Sequence, residues 1–101
     1  MERYSSRAID EVGRLVLHSE LRQALGLLPE DKIFLRRVNT IVILQKATSN
    51  LDSDCFAAQV SELGAIELPA ELRKQMGWKA KTKVAVYHTD NILIMKSSEK
   101  K

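Results

Sequence analysis

The sequence predicts a mainly β protein with short helices, built from two tandem β-β-α-β-β repeats. Three observations carry that reading. Residues 11–44 lie over residues 62–95 at a constant shift of 62 − 11 = 51, without a gap. Each copy holds one short helical stretch stopped by a glycine. Each copy then closes on two β-rich runs joined by a turn-like dipeptide.

Of the 34 paired positions ten are identical, among them Gly13/Gly64, Leu17/Leu68, Glu20/Glu71, Leu21/Leu72, Arg22/Arg73 and Gly26/Gly77. Most other apolar positions exchange conservatively, as in Leu15/Ile66, Ile33/Val84, Leu35/Val86 and Val42/Leu93. In element order, a short strand is expected near Ile9–Val12, ending at a glycine free to adopt positive φ. A second extended piece begins at Leu15–Leu17. A brief helix follows at Ser19–Leu25 and again at Ala70–Met76, its apolar residues spaced four apart on one face. Gly26 and Gly77 stop these helices, and Pro69 fits the first helical position, where no backbone donor is needed. Lys32–Val38 and Thr40–Gln45 form a hairpin around Asn39-Thr40, and Lys83–His88 and Asn91–Lys96 repeat it around Asp90-Asn91. Alternation of Ile33 with Leu35, and of Ile41 with Ile43, marks one buried face. Phe34, Val42 and Leu44 indicate partial cover on the other face, as interleaving with a partner would give.

At 101 residues the chain holds two very small units, each burying too little apolar surface to stand alone. A net charge of +3 agrees with a nucleic-acid partner without requiring one. Cys55 is the single cysteine, which excludes an internal disulfide framework and a multi-cysteine zinc site and points to a reducing cytoplasm. The N-terminus has no apolar signal core, and no run approaches the roughly 20 apolar residues that span a bilayer.

The run Ile9-Asp10-Glu11-Val12-Gly13-Arg14-Leu15-Val16-Leu17, followed by Glu20-Leu21-Arg22, Leu25-Gly26, Asp31 and a hairpin, resembles the AbrB, MazE and SpoVT group of DNA-binding proteins. Val60 to Gly64, then Leu68-Pro69-Ala70-Glu71-Leu72-Arg73-Lys74 and Gly77-Trp78, resembles the same module. The resemblance implies a swapped-hairpin (double-split) β-barrel in which two units interleave their strands. It implies an N-terminal DNA-binding unit at 1–47, a linker at 48–58 and a C-terminal unit at 59–101 serving assembly and possible DNA contact. It also places Arg7, Arg14 and Arg22 toward DNA, with Gln23 beside the last in place of a basic residue. The matching positions in the second copy are Ala58, Ala65, Arg73 and Lys74, so the first two arginines are lost there. Arginine follows the same split, with Arg3, Arg7, Arg14, Arg22, Arg36 and Arg37 before the linker and Arg73 alone after it. Guanidinium forks suit guanine edges and phosphates better than ammonium groups do, so the first copy is expected to read DNA.

A lone arginine is more often solvated surface than a reader, and three at matching positions reverse that weighting. Lys74, Lys79, Lys81 and Lys83 are as well explained by solubility as by phosphate contact. His18 and His88 lack metal-ligand company, Trp78 reads as a packed hydrophobe after a helix cap, and Asp10 and Glu11, adjacent along a strand, point apart. No catalytic constellation, metal site or cofactor motif is found, so an enzyme is not expected. The sequence is read as a cytoplasmic, nucleoid-associated transcription regulator that binds double-stranded DNA as a homo-oligomer, most simply a dimer in which like copies interleave between chains, with pairing of the two copies inside one chain as the other arrangement the sequence allows. The alternative is an antitoxin binding its promoter and a toxin protein.

Overall fold

The computed structural model describes residues 2–47, 55–89 and 92–97, with residues 2–5 as backbone. Among the described residues eight strands and two helices follow in the order of a duplicated unit: β1 Glu2–Ala8, β2 Arg14–Val16, α1 Ser19–Leu25, β3 Lys32–Val38 and β4 Ile41–Lys46 come from the first repeat. The second supplies β5 Phe56–Gln59, β6 Ala65–Glu67, α2 Ala70–Met76, β7 Lys83–Thr89 and β8 Ile92–Ser97. Both helices end where expected, at Gly26 (φ 68°) and Gly77 (φ 71°), each in the left-handed conformation that lets its N–H return to the carbonyls of the preceding turn.

The sheets are built across the repeats. A six-stranded sheet runs β1-β7-β8-β4-β3-β5, and a two-stranded ribbon pairs β2 with β6. Among the described strands the pairs made within a repeat are the hairpins β3–β4 and β7–β8, beside an isolated bridge of Val60 with Ile66. The pairs β1–β7, β2–β6, β3–β5 and β4–β8 all join one repeat to the other, antiparallel throughout. The interleaving, expected between like copies of two chains, is instead between unlike copies of one chain. Each repeat offers the other the strands its own core lacks, and a short tether holds the two at high effective concentration.

The core repeats with the sequence. Ile9, Leu15, Leu17, Leu21, Leu27, Ile33, Leu35, Val42 and Leu44 are buried together with Val60, Ile66, Leu68, Leu72, Trp78, Val84, Val86, Leu93 and Met95, their partners at the same offset. Burying any one such side chain contributes about 1.5–3 kcal/mol, so the common core holds the halves together.

Several expectations are corrected. The first strand lies at Glu2–Ala8, not near Ile9–Val12; Ile9 is a buried plug and Asp10 to Gly13 turn back toward β2. Pro69 sits at the N-cap with an extended ψ of 140°, one residue before the helix, as does His18. On β4 the buried residues are Val42 and Leu44, while Ile41 and Ile43 are half-buried on the outer face. The expected linker segment 48–54 and the turn at Asp90-Asn91 lie outside the described residues, while Phe56–Ala58 belong to β5.

Candidate nucleic-acid interface

The loop entering β2 is set by one carboxylate. Asp10 Oδ1 accepts from the N–H groups of Val12 (3.0 Å) and Arg14 (2.8 Å), and Oδ2 accepts from Arg14 Nε at 3.1 Å. The Arg14 N–H above all, then the Arg14 side chain and the Val12 N–H, hold the Asp10 carboxyl below the ordinary carboxylate value. In the second repeat Ser61 Oγ does the same task for Leu63 and Ala65. A short polar side chain at this position thus ties the turn in both copies. Gly13 (φ 84°) and Gly64 (φ 83°) complete the turns.

Arg14 is directed outward by this turn, its side chain 48% exposed. It faces Glu67 across the β2–β6 ribbon. Arg7 is half-buried near the end of β1, and its Nη2 lies 2.9 Å from Nε2 of His18. Since arginine has only donors, His18 Nε2 is the acceptor. Gln23 and Lys74 are exposed on equivalent positions of α1 and α2.

Arg22 and Arg73 are half-buried, as is Arg7, but they alone of the six lie against the opposite repeat's loop glycine. Arg22 Nε donates to the Leu17 carbonyl at 3.3 Å, and Arg73 Nε to the Leu68 carbonyl at 3.0 Å. Each guanidinium covers the loop glycine of the opposite repeat: a methyl group built on Gly64 would stand 2.5 Å from Arg22 Cζ, and one on Gly13 would stand 2.5 Å from Arg73 Cζ. The same glycines accept from the opposite strand, Leu17 N–H to Gly64 carbonyl (3.1 Å) and Leu68 N–H to Gly13 carbonyl (2.9 Å). These two arginines clamp the repeats together.

The clamp determines what stands beside what. Arg14 follows Gly13 and so adjoins Arg73 and α2, while Ala65 follows Gly64 and adjoins Arg22 and α1. Each basic edge therefore draws on both repeats. Sequence spacing within one repeat groups Arg14 with Arg22; the fold groups Arg14 with Arg73. One signal of this was present, because the clamp residues are identical between copies whereas Arg7 and Arg14 are replaced by Ala58 and Ala65.

Among the described residues no group of three or more His, Cys, Asp and Glu could hold a metal ion. Among the described residues no helix is long and apolar enough to cross a membrane.

Residues 58–101 match the family described as antidote-toxin recognition MazE, bacterial antitoxin. No curated protein matches the sequence. The solution structure of PHS018 from Pyrococcus horikoshii is similar over 99% of this chain and 100% of that one, with a TM-score of 0.55 and 18% identity. Residues 58–101 are thus similar to the AbrB/MazE superfamily, and the mainly β architecture is consistent with a swapped-hairpin fold of that kind.

Proposed function

We propose that this protein is a sequence-specific transcription regulator of the AbrB type, binding duplex DNA through the edge where Arg14 adjoins α2. The family of the second repeat supports a non-enzymatic DNA-binding regulator or antitoxin. The single observation that carries the finer reading is Arg14 itself. It is an exposed guanidinium held in a fixed direction by Asp10, at a position where the other repeat has alanine. Pre-orientation lowers the entropy lost when a side chain meets a base edge or phosphate.

Lys74 lies on α2 beside this edge, while Gln23 on α1 and Arg7, paired with His18, belong to the other edge. Arg22 and Arg73 act at one remove in this reading, by holding loop and helix in register. A homodimer of whole chains would repeat the basic edge across a palindromic operator. The antitoxin reading draws on the printed family description, and a toxin protein would be its second partner.

Electrophoretic mobility shifts against fragmented genomic DNA test the proposal. Binding that weakens steeply with rising salt, and that survives competition by scrambled duplex, is the expected result. No retarded fragment at low salt rejects it.

A further inference from the structure

The carbonyl end of α2 is finished differently from that of α1. In the first repeat Lys46, at the end of β4, covers the helix stop: its Nζ donates to the Gly26 carbonyl at 3.1 Å and stands 3.6 Å from Asp31 Oδ2. At the 51-residue shift the aligned residues are Ser97 and Thr82, so neither the lysine nor its carboxylate is repeated. Ser97 instead lines a cleft of about 520 Å³ between the last turn of α2, the end of β8 and the β3–β4 turn.

We propose that this cleft binds a small organic anion, a carboxylate or phosphate group carried on an apolar body about the size of one aromatic ring. The charge on its walls has one sign. Arg37 and Lys96 line it, no carboxylate does among the described residues, and neither cation has an ion pair there. Arg37 is also held in place. Its Nε donates to the Asn39 carbonyl at 3.1 Å, in a turn where Asn39 has a φ of 56°, which leaves both Nη groups for a bidentate oxyanion. Gln75 adds a neutral donor. Met76, half-buried and adaptable in shape, and the edge of Trp78 supply apolar surface. A DNA phosphate would meet the same two cations but gain nothing from that surface.

These donors belong to one end of the molecule. Arg37, Gln75 and Lys96 align with His88, Ala24 and Gln45, and Asn39 aligns with Asp90, whose carboxylate would repel an anion. The core and the arginine clamp are kept in both copies, so what differs here is not what the shared fold requires. The cleft has no lining residue in common with the one beside Arg14, from which it is separated along α2: Ala70 lines that one, Gln75 and Met76 this one. The inference therefore stands whether or not the Arg14 edge binds DNA.

Trp78 is the single tryptophan of the chain, so its fluorescence reports on the cleft. The full chain is titrated with phenyl phosphate and with benzoate, with benzyl alcohol to omit the charge and inorganic phosphate to omit the ring. A saturable change should appear with phenyl phosphate or benzoate, the tighter of the two naming the head group, and should be at least about tenfold weaker with the other two probes. Arg37→Gln with Lys96→Gln should weaken binding at least about tenfold. Thr82→Asp with Ser97→Lys, which builds the cover of the first repeat, should do the same by filling the cleft. Thr82 and Asp31 already accept from equivalent N–H groups, those of Lys79 and Leu28, so that exchange keeps the turn. Circular dichroism checks that both variants fold. Should either lose its fold, amide chemical shifts in the parent decide, and they should move at residues 37–40 and 75–78. Equal response to benzyl alcohol or to inorganic phosphate, binding unaffected in folded variants, shifts elsewhere, displacement of the anion by scrambled duplex, or no saturable change at millimolar ligand each overturns the proposal. Cations that served only the carbonyl end of a helix would give the last of these results.

Discussion

The guanidinium of Arg22 lies over Gly64, in the opposite repeat, so closely that a β-carbon on the glycine would have to displace it. Arg73 over Gly13 is the same relationship read from the other side. Gly64→Ala should therefore cost more than the positive φ alone accounts for. Two terms act together, a left-handed conformation unsuited to alanine and the displacement of a half-buried arginine from its carbonyl partner. A loss of about 2–4 kcal/mol in urea denaturation is expected from these two terms. Gly26→Ala is the control, because the φ is similar but nothing lies within 4 Å; it should cost about 1 kcal/mol. Equal losses would show that the arginine contributes nothing.

Arg22→Ala and Gly64→Ala should be strongly non-additive. Once the guanidinium is gone, the methyl group meets open space and only the conformational cost remains. A double-mutant cycle should give a coupling of about 1 kcal/mol or more. Arg22→Lys should recover little, since one ammonium cannot both cover the loop and reach the Leu17 carbonyl with the same fixed plane.

Arg14→Ala should weaken operator binding by about 1–3 kcal/mol, with lysine rescuing poorly. Ala65→Arg places a guanidinium beside Arg22 and α1, where Gln23 stands in place of Lys74. It should add nonspecific affinity and change specificity little. Mobility-shift titrations against operator and scrambled duplexes read both. If Lys74→Ala loses the operator while Arg14→Ala does not, the α2 lysine is the reader.

Asp10 supplies a pH dependence of known sign. Its native pKa is lowered, chiefly by the Arg14 N–H, so the unfolded chain binds the proton more readily. The loop's stabilisation is thus present above the ordinary carboxylate pKa and is lost as pH falls through the lowered native value. Asp10→Ser, borrowing the cap of the second repeat, should keep the turn and remove this acid dependence, whereas Asp10→Ala should loosen the turn at every pH. Carboxyl chemical shifts during a pH titration, with amide exchange at Val12 and Arg14, would check both.

How much of this was legible in the sequence depends on the kind of residue. Both helices and their glycine stops were, because spacing and caps are local. β4 was read with the wrong side inward. It lies in the middle of the sheet with apolar residues at every position from Ile41 to Leu44, so alternation carries no orientation. β1 was missed because its sequence, Glu-Arg-Tyr-Ser-Ser-Arg-Ala, is polar and is held by pairing with β7 in the other repeat. Arg14 was legible as exposed and basic. The burial of Arg22 and Arg73 was not, since it depends on a glycine 42 residues away in one case (64 − 22) and 60 in the other (73 − 13).

Pairing across the repeats within a single chain changes what one mutation can do. In a barrel made from two identical subunits, any substitution is felt twice, and a change that helps one edge alters its twin as well. Here Arg7 and Arg14 could become Ala58 and Ala65 on one side while the clamp and core stayed paired. Joining the halves lets one fold carry two different edges.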